Sequence, residues 1–182
     1  MITNQPPDAI NQPSGHKLFF ALWPDEDTRA ALARLQPLAP GRAIAAAKLH
    51  LTLAFLGQQP ATALSPLLAI LDDLAVAELR LRVDMLGYFQ RPRIAWAGMS
   101  APPPALSALQ AELMARLEAA GFSAATHGEF KPHITLAREA KCAPPAAQFD
   151  PIPWHATEVA LVESFPNGIY MPIAAKHAQP NQ

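Results

Sequence analysis

The 182-residue chain has one cysteine, Cys142. A lone thiol excludes a disulfide framework and leaves no cysteine-based zinc site. An excess of one charge sign is also missing: 14 Lys and Arg stand against 15 Asp and Glu, a net charge of −1 at pH 7. Coating a duplex takes many Lys/Arg–phosphate contacts, so this balance argues against that role, while a single phosphate or RNA end could still be held. No apolar run is long enough to span a bilayer. Met1 to Gly15 is polar and rich in Pro, Asn and Gln, without the basic and apolar regions of a secretory signal. It is expected to be a disordered leader. The expected compartment is the cytoplasm, with no membrane partner. Also absent are a Gly-X-X-X-X-Gly-Lys-Ser/Thr loop, Gly-X-Gly-X-X-Gly, His-Glu-X-X-His and Gly-X-Ser-X-Gly. The usual nucleotide loops, the zinc-protease helix and the serine-hydrolase elbow are thereby excluded.

What is present is globular: 51% hydrophobic and 16% charged residues. The length suits one domain, or two small lobes sharing a core. Two tetrads stand out, His50-Leu51-Thr52-Leu53 and His133-Ile134-Thr135-Leu136. One such tetrad arises by chance in roughly one chain in a hundred of this length, and two lying nearly half the chain apart suggest a duplicated lobe. Each reads as a β-strand with side chains alternating between faces. His50 and Thr52 then share one face, with Leu51, Leu53 and Phe55 on the other; His133 and Thr135 oppose Ile134 and Leu136. Two such strands could meet in a polar cleft.

The remaining elements follow from periodicity and punctuation. Lys17 to Trp23 is predicted as a strand buried on both faces, and Asp25 caps a helix that Pro37 stops. Leu64, Leu67, Leu68, Leu71 and Leu74 mark a second helix. Leu79 to Val83 alternates as a half-buried strand, with Arg80 and Arg82 on the solvated side. Tyr88 to Gly98 resembles a hairpin looping at Arg91 and Pro92. A third helix starts at the Pro102–Pro104 run and ends at Gly121. The loop from Phe122 to Phe130, with His127, is a candidate cleft rim. Residues 140–153 lack periodicity. Thr157 to Val162 and Ile169 to Ile173 form a hairpin turned at Asn167-Gly168, with Pro172 favouring an edge strand. The predicted fold class is α+β, with mainly antiparallel sheets and helices outside. A single domain is expected over residues 16–175, with a tail over 176–182.

Two imidazoles facing one ligand can hold different protonation states, one accepting a proton and one donating it. Threonine hydroxyls can donate to non-bridging phosphate oxygens, and an arginine adds charge-assisted contacts. That set suits opening a cyclic phosphate without a metal. No carboxylate joins either tetrad, so no metal site and no cofactor are expected.

These residues resemble the two-histidine phosphoesterases, specifically the bacterial RNA 2′,3′-cyclic phosphodiesterases, also called 2′-5′ RNA ligases. The likeness runs from Lys17 to Ile173. It includes Leu18 to Leu22, His50 to Gly57, Arg93 to Gly98, Lys131 to Arg138, Glu163-Ser164 and Gly168 to Tyr170. It implies two pseudo-symmetric lobes around a central cleft, in a monomer acting on RNA ends or nucleotides with a 2′,3′-cyclic phosphate. By this resemblance His133 is the base that activates water and His50 the acid that protonates the departing O3′. Thr52, Thr135 and Arg138 hold the phosphate. Strict alternation puts Arg138 on the wrong face, so it reaches the cleft only if its strand ends, twists or bulges. Two other functions use the same residues: 2′-5′ ligation of tRNA halves, and non-catalytic binding of RNA ends or nucleotides. Other cyclic phosphates, such as ADP-ribose 1″,2″-cyclic phosphate, are alternative substrates. Phe89, Trp96 and Tyr170 could stack on a base but are assigned to core packing.

Overall fold

A computed structural model describes residues 15–124, 129–146 and 148–178. The expected leader lies outside these residues except for Gly15, which opens the first strand. His127 of the expected rim loop lies outside them too. Ten strands and three α-helices are formed: β1 (Gly15–Leu22), α1 (Glu26–Ala33), β2 (Arg42–Ala43), β3 (Leu51–Pro60), α2 (Leu64–Asp73), β4 (Leu79–Val83) and β5 (Met85–Phe89). After these come β6 (Ile94–Gly98), α3 (Pro104–Ala119), β7 (His133–Arg138), β8 (Ile152–Ala156), β9 (Glu158–Ser164) and β10 (Tyr170–His177).

The main sheet runs β10-β9-β1-β3-β7-β6-β5, and every neighbouring pair is antiparallel. Its two halves are the two lobes. They join at one residue pair, Leu51 opposite Ile134. β2 pairs with β7 farther along, at Arg42–Arg138 and Ala43–Ala137. Beyond Leu51, then, β3 and β7 part, and a cleft opens between the lobes. The lobes are not successive halves of the chain. The C-terminal hairpin β9–β10 returns to pair with β1, while β4 and β8 form a separate two-stranded ribbon.

Local chemistry explains the elements. The Asp25 carboxylate accepts the Thr28 backbone N–H at 2.7 Å and caps α1. Pro104 opens α3, where its missing N–H costs nothing. The α2 and α3 leucines pack against the sheet's back face, α2 on β9 and β10 and α3 on β3. Arg80 and Arg82 are exposed between buried Leu79, Leu81 and Val83, as expected. β10 is an edge strand, where Pro172 is tolerated, and the register slips beside it. Three features differ from the expectations. β8 forms inside the stretch from Ile152 to Ala156, where Pro153 obscured the alternation. β10 continues to His177, and Lys176 donates to the Asp72 carbonyl of α2, so the tail begins later. β3 runs past Gly57, whose φ of +67° is accommodated at a register irregularity and does not end the strand.

β1 is buried on both faces, as expected. Leu18, Phe20 and Leu22 enter the main core, whereas Phe19 and Ala21 join Ala160 and Val162 in a second apolar cluster. Trp23 and Tyr170 pack on that second cluster, which floors the first lobe's side of the cleft.

Candidate active site

His50 immediately precedes β3 and His133 opens β7. An antiparallel register continued from the Leu51–Ile134 pair turns each His-X-Thr toward the other. Thr52 pairs with Ala21, and Thr135 with Trp96, both on the cleft face.

The next residues break strict alternation in both strands. In β3, Thr52 opposes Ala21 and Ala54 opposes Phe20, so Leu53 has no partner. In β7, Thr135 opposes Trp96 and Ala137 opposes Ala95, so Leu136 has no partner. Each is a β-bulge, one extra residue that reverses the facing of the residues after it. Leu53 and Ala54 are both buried in the core, as are Leu136 and Ala137. Phe55 and Arg138 consequently turn to the cleft face, and both are exposed. The Phe55 expectation is corrected: it faces away from Leu51, not with it. Arg138 has the bulge that its place in the cleft requires.

The two imidazoles are held alike. Each Nδ1 donates to the carbonyl of the residue two before it: Lys48 at 2.6 Å for His50, Lys131 at 2.8 Å for His133. A carbonyl only accepts, so the proton is fixed on Nδ1 and the neutral ring offers its Nε2 lone pair. The Thr52 hydroxyl lies 3.0 Å from the His50 Nε2 and donates to it in that state.

Aromatic rings wall both histidines. His50 stacks on Phe19 at 4.8 Å and Trp23 at 5.7 Å, and Tyr170 meets it edge-on at 5.7 Å. His133 meets Phe89 edge-on at 4.9 Å and Trp96 at 6.3 Å. Phe89 and Trp96 thus line the cleft wall, and Tyr170 both packs on the second apolar cluster, as expected, and meets His50. Phe19 and Trp23 were missed altogether; their signal was a shared strand face within an all-apolar run. The Trp96 indole lies over Gly87 of the neighbouring β5 and Gly98 of its own strand. A Cβ on Gly87 would fall 2.0 Å from the ring, and one on Gly98 would fall 2.8 Å from it.

This apolar enclosure sets the electrostatics. Burial pushes the His50 imidazole down to about 4. The Lys48 carbonyl opposes that shift, while the charges of His133 and Arg138 reinforce it. Burial also lowers His133, against the Lys131 carbonyl. Both shifts favour the neutral rings at pH 7 in the free protein. Among the described residues, no three His, Cys, Asp or Glu side chains gather as a metal site.

Paired, inward-facing His-X-Thr strands can move one proton in and one out at a single phosphorus. The sequence model of the 2′-5′ RNA ligase superfamily matches residues 24–164. The chain belongs to that superfamily. It is 35% identical over 129 residues to the RNA 2′,3′-cyclic phosphodiesterase of Escherichia coli K12, covering 68% of this chain and 72% of that one. It is 35% identical over 164 residues to the RNA 2′,3′-cyclic phosphodiesterase of Thermus thermophilus, covering 81% of each. The crystal structure of E. coli LigT in apo form superposes with a TM-score of 0.77 at 31% identity, over 91% of this chain and 99% of that one. LigT complexed with 3′-AMP gives 0.77 at 30% identity, over 90% and 98%. Like other members of the superfamily by these measures, the chain has an α+β fold with mostly antiparallel strands.

Proposed function

We infer that this 2′-5′ RNA ligase superfamily member is an RNA 2′,3′-cyclic phosphodiesterase that opens a terminal cyclic phosphate to a 2′-phosphate. The observation that carries this is the matched pair of imidazoles, each pinned through Nδ1 so that Nε2 bears the lone pair; at His50 the Thr52 hydroxyl turns from Nε2 to the phosphate when substrate binds. Water attacks phosphorus as the P–O3′ bond breaks. Nε2 of His133 takes the water proton, and Nε2 of His50 gives a proton to the departing O3′. Thr52, Thr135 and Arg138 donate to the non-bridging oxygens, whose negative charge the transition state retains. The phosphate anion supplies the charge that keeps His50 protonated once substrate is bound. A 5′-hydroxyl in place of water would give a 2′-5′ bond by the same proton transfers.

The chain works as a monomer, because both lobes of one chain line the cleft. No helix among the described residues is long and apolar enough to cross a membrane. The exposed free thiol of Cys142 suits the reducing cytoplasm, where we place the protein.

The test is hydrolysis of a short RNA ending in a 2′,3′-cyclic phosphate, in EDTA, by wild type, His50→Ala and His133→Ala. The expected result is a 2′-phosphate product from wild type and a loss of at least about a hundredfold in each folded variant. A wild type that binds the RNA end without turnover makes the cleft a recognition site and rules out the enzyme. A loss confined to one variant rules out the paired acid–base mechanism.

A further inference from the structure

Arg42 of the short strand β2 stands directly opposite Arg138 in the antiparallel register, so both side chains rise from the same face. Like charges placed that way repel. The Glu139 carboxylate offsets the repulsion from one side only. Its Oε1 accepts from Arg42 Nε at 3.2 Å and from Arg42 Nη2 at 2.8 Å. Arg138 has no carboxylate partner among the described residues. Glu139 therefore serves the arginine on the neighbouring strand and not the one beside it in sequence.

The backbone enforces that choice. Glu139 has a φ of +57°, in the left-handed region that a residue with a Cβ occupies only at a cost. Its neighbours fix the conformation. The Ala140 N–H donates to the Arg93 carbonyl at 3.0 Å. The Ala140 carbonyl accepts from the Tyr88 hydroxyl at 3.0 Å and from Arg93 Nε at 3.2 Å. Before Glu139, Gly41 packs so closely that a Cβ on it would fall 2.5 Å from the Arg138 carbonyl oxygen. Glycine or asparagine is the ordinary occupant of a left-handed position. A glutamate held there, with its carboxylate swung onto Arg42, indicates a use for the side chain. The charges sort the same way. The Arg42 hydrogen bonds and charge, and then the Arg93 charge, hold the Glu139 carboxyl below its ordinary range, and Arg138 adds nothing to that shift. The Arg138 charge is felt instead at His50, across the cleft.

We propose that Arg42 is a positioning residue: it holds the Glu139 carboxylate away from Arg138 and so keeps that guanidinium open for the phosphate. Arg42 itself does not touch the substrate. This role rests on the reaction proposed above, and on Arg138 as a phosphate ligand in it.

The test is a double-mutant cycle on hydrolysis of the cyclic-phosphate RNA at low ionic strength, with wild type, Arg42→Ala, Glu139→Gln and Arg42→Ala/Glu139→Gln. In Arg42→Ala the freed carboxylate competes with the phosphate for Arg138. KM should rise about two- to fivefold, the range of an exposed ion pair. The value of kcat should not change, because saturating substrate displaces the carboxylate. In the Glu139→Gln background the same Arg42→Ala change should leave KM unaltered. A rise of equal size in both backgrounds overturns the proposal, because Arg42 would then act on the phosphate through its own charge. So does a silent Arg42→Ala, the result expected if Arg93 takes the carboxylate. A fall in kcat that Glu139→Gln does not restore gives Arg42 a purely structural role and overturns it too. If wild type hydrolyses nothing, the reaction is wrong. The same cycle, read as the Kd of adenosine 2′-phosphate by tryptophan fluorescence, then decides the role of Arg42. A loss of affinity that Glu139→Gln abolishes supports it, and equal losses or no binding overturn it.

Discussion

An acid–base pair needs one charged imidazole, yet burial in the cleft disfavours charge on both. His50 is pushed down to about 4 from its ordinary 6.5, so charging it in the free protein costs about 3 kcal/mol more than in water. A phosphate anion placed about 4 Å away, at an effective dielectric constant near 20, returns about 4 kcal/mol. That is about three pKa units, enough to bring the bound imidazole's pKa back into the neutral pH range, so that it carries a proton. The substrate therefore charges its own acid, and the phosphodiester remains anionic throughout the working pH range.

The two kinetic parameters separate these states, because kcat/KM reports the free protein and kcat the substrate complex. The kcat/KM profile should be a bell whose limbs belong to the coupled pair, the lower near pH 4 and the upper below 6.5. The lower limb of the kcat profile should lie two to three pH units higher than that of kcat/KM. Arg138→Gln should raise the lower kcat/KM limb, since the Arg138 charge contributes to holding His50 neutral. The assay is initial-rate hydrolysis of the cyclic-phosphate RNA from pH 3.5 to 9 at constant ionic strength. A kcat/KM bell centred at or above pH 7, or identical limbs in the two profiles, would refute the reasoning.

Three further outcomes are expected. Stability should fall on acidification: unfolded His50 takes up a proton below about 6.5 while the folded ring resists until about 4, so stability is complete above 6.5 and diminishes through that window. The His50 share is about 3 kcal/mol, and urea midpoints for His50→Asn should show a correspondingly flatter decline between pH 7 and 4. Gly87→Ala should destabilise by about 1–3 kcal/mol and shift tryptophan emission, because its Cβ would enter the Trp96 indole; an unchanged unfolding midpoint would contradict that packing. Asp25→Ala should cost about 1 kcal/mol in urea unfolding through loss of the α1 cap, with kcat unchanged.

Much of this site was legible because its chemistry is tied to strand periodicity. His50, Thr52, His133 and Thr135 reach one cleft from alternation alone, since each Thr stands two residues after its His. Helices with capping residues and leucine stripes were legible for the same local reason. What failed depended on partners. The facing of Phe55 depends on Leu53 lacking a mate in β1, and that is a property of two strands. A trace was nevertheless present. Leu53-Ala54 and Leu136-Ala137 are consecutive apolar residues following each Thr, and two neighbours bound for one core mark a bulge. The pairing of β9–β10 with β1, and of β4 with β8, has no local signal, since each joins distant segments. The aromatic wall was misassigned because a sheet with a core on one face and an apolar cleft floor on the other looks uniformly buried in sequence.

The two bulges also explain how a pseudo-symmetric scaffold performs an asymmetric reaction. The backbone device is the same in both lobes: His, Thr, an unpaired leucine, a buried alanine, then a residue returned to the cleft. At that last position one lobe has Phe55 and the other Arg138. The antiparallel junction at Leu51 and Ile134 crosses the strands, so the arginine carried by the His133 strand bears on His50 in the opposite lobe. Its charge lowers His50 and does not contribute to the His133 shift. Two imidazoles with matched Nδ1 hydrogen bonds thus acquire different affinities for a proton, and because His50 has the weaker one it serves as the acid only after the substrate anion has charged it. The arginine proposed to hold the phosphate therefore adds, after burial and the His133 charge, to the difference between the two histidines.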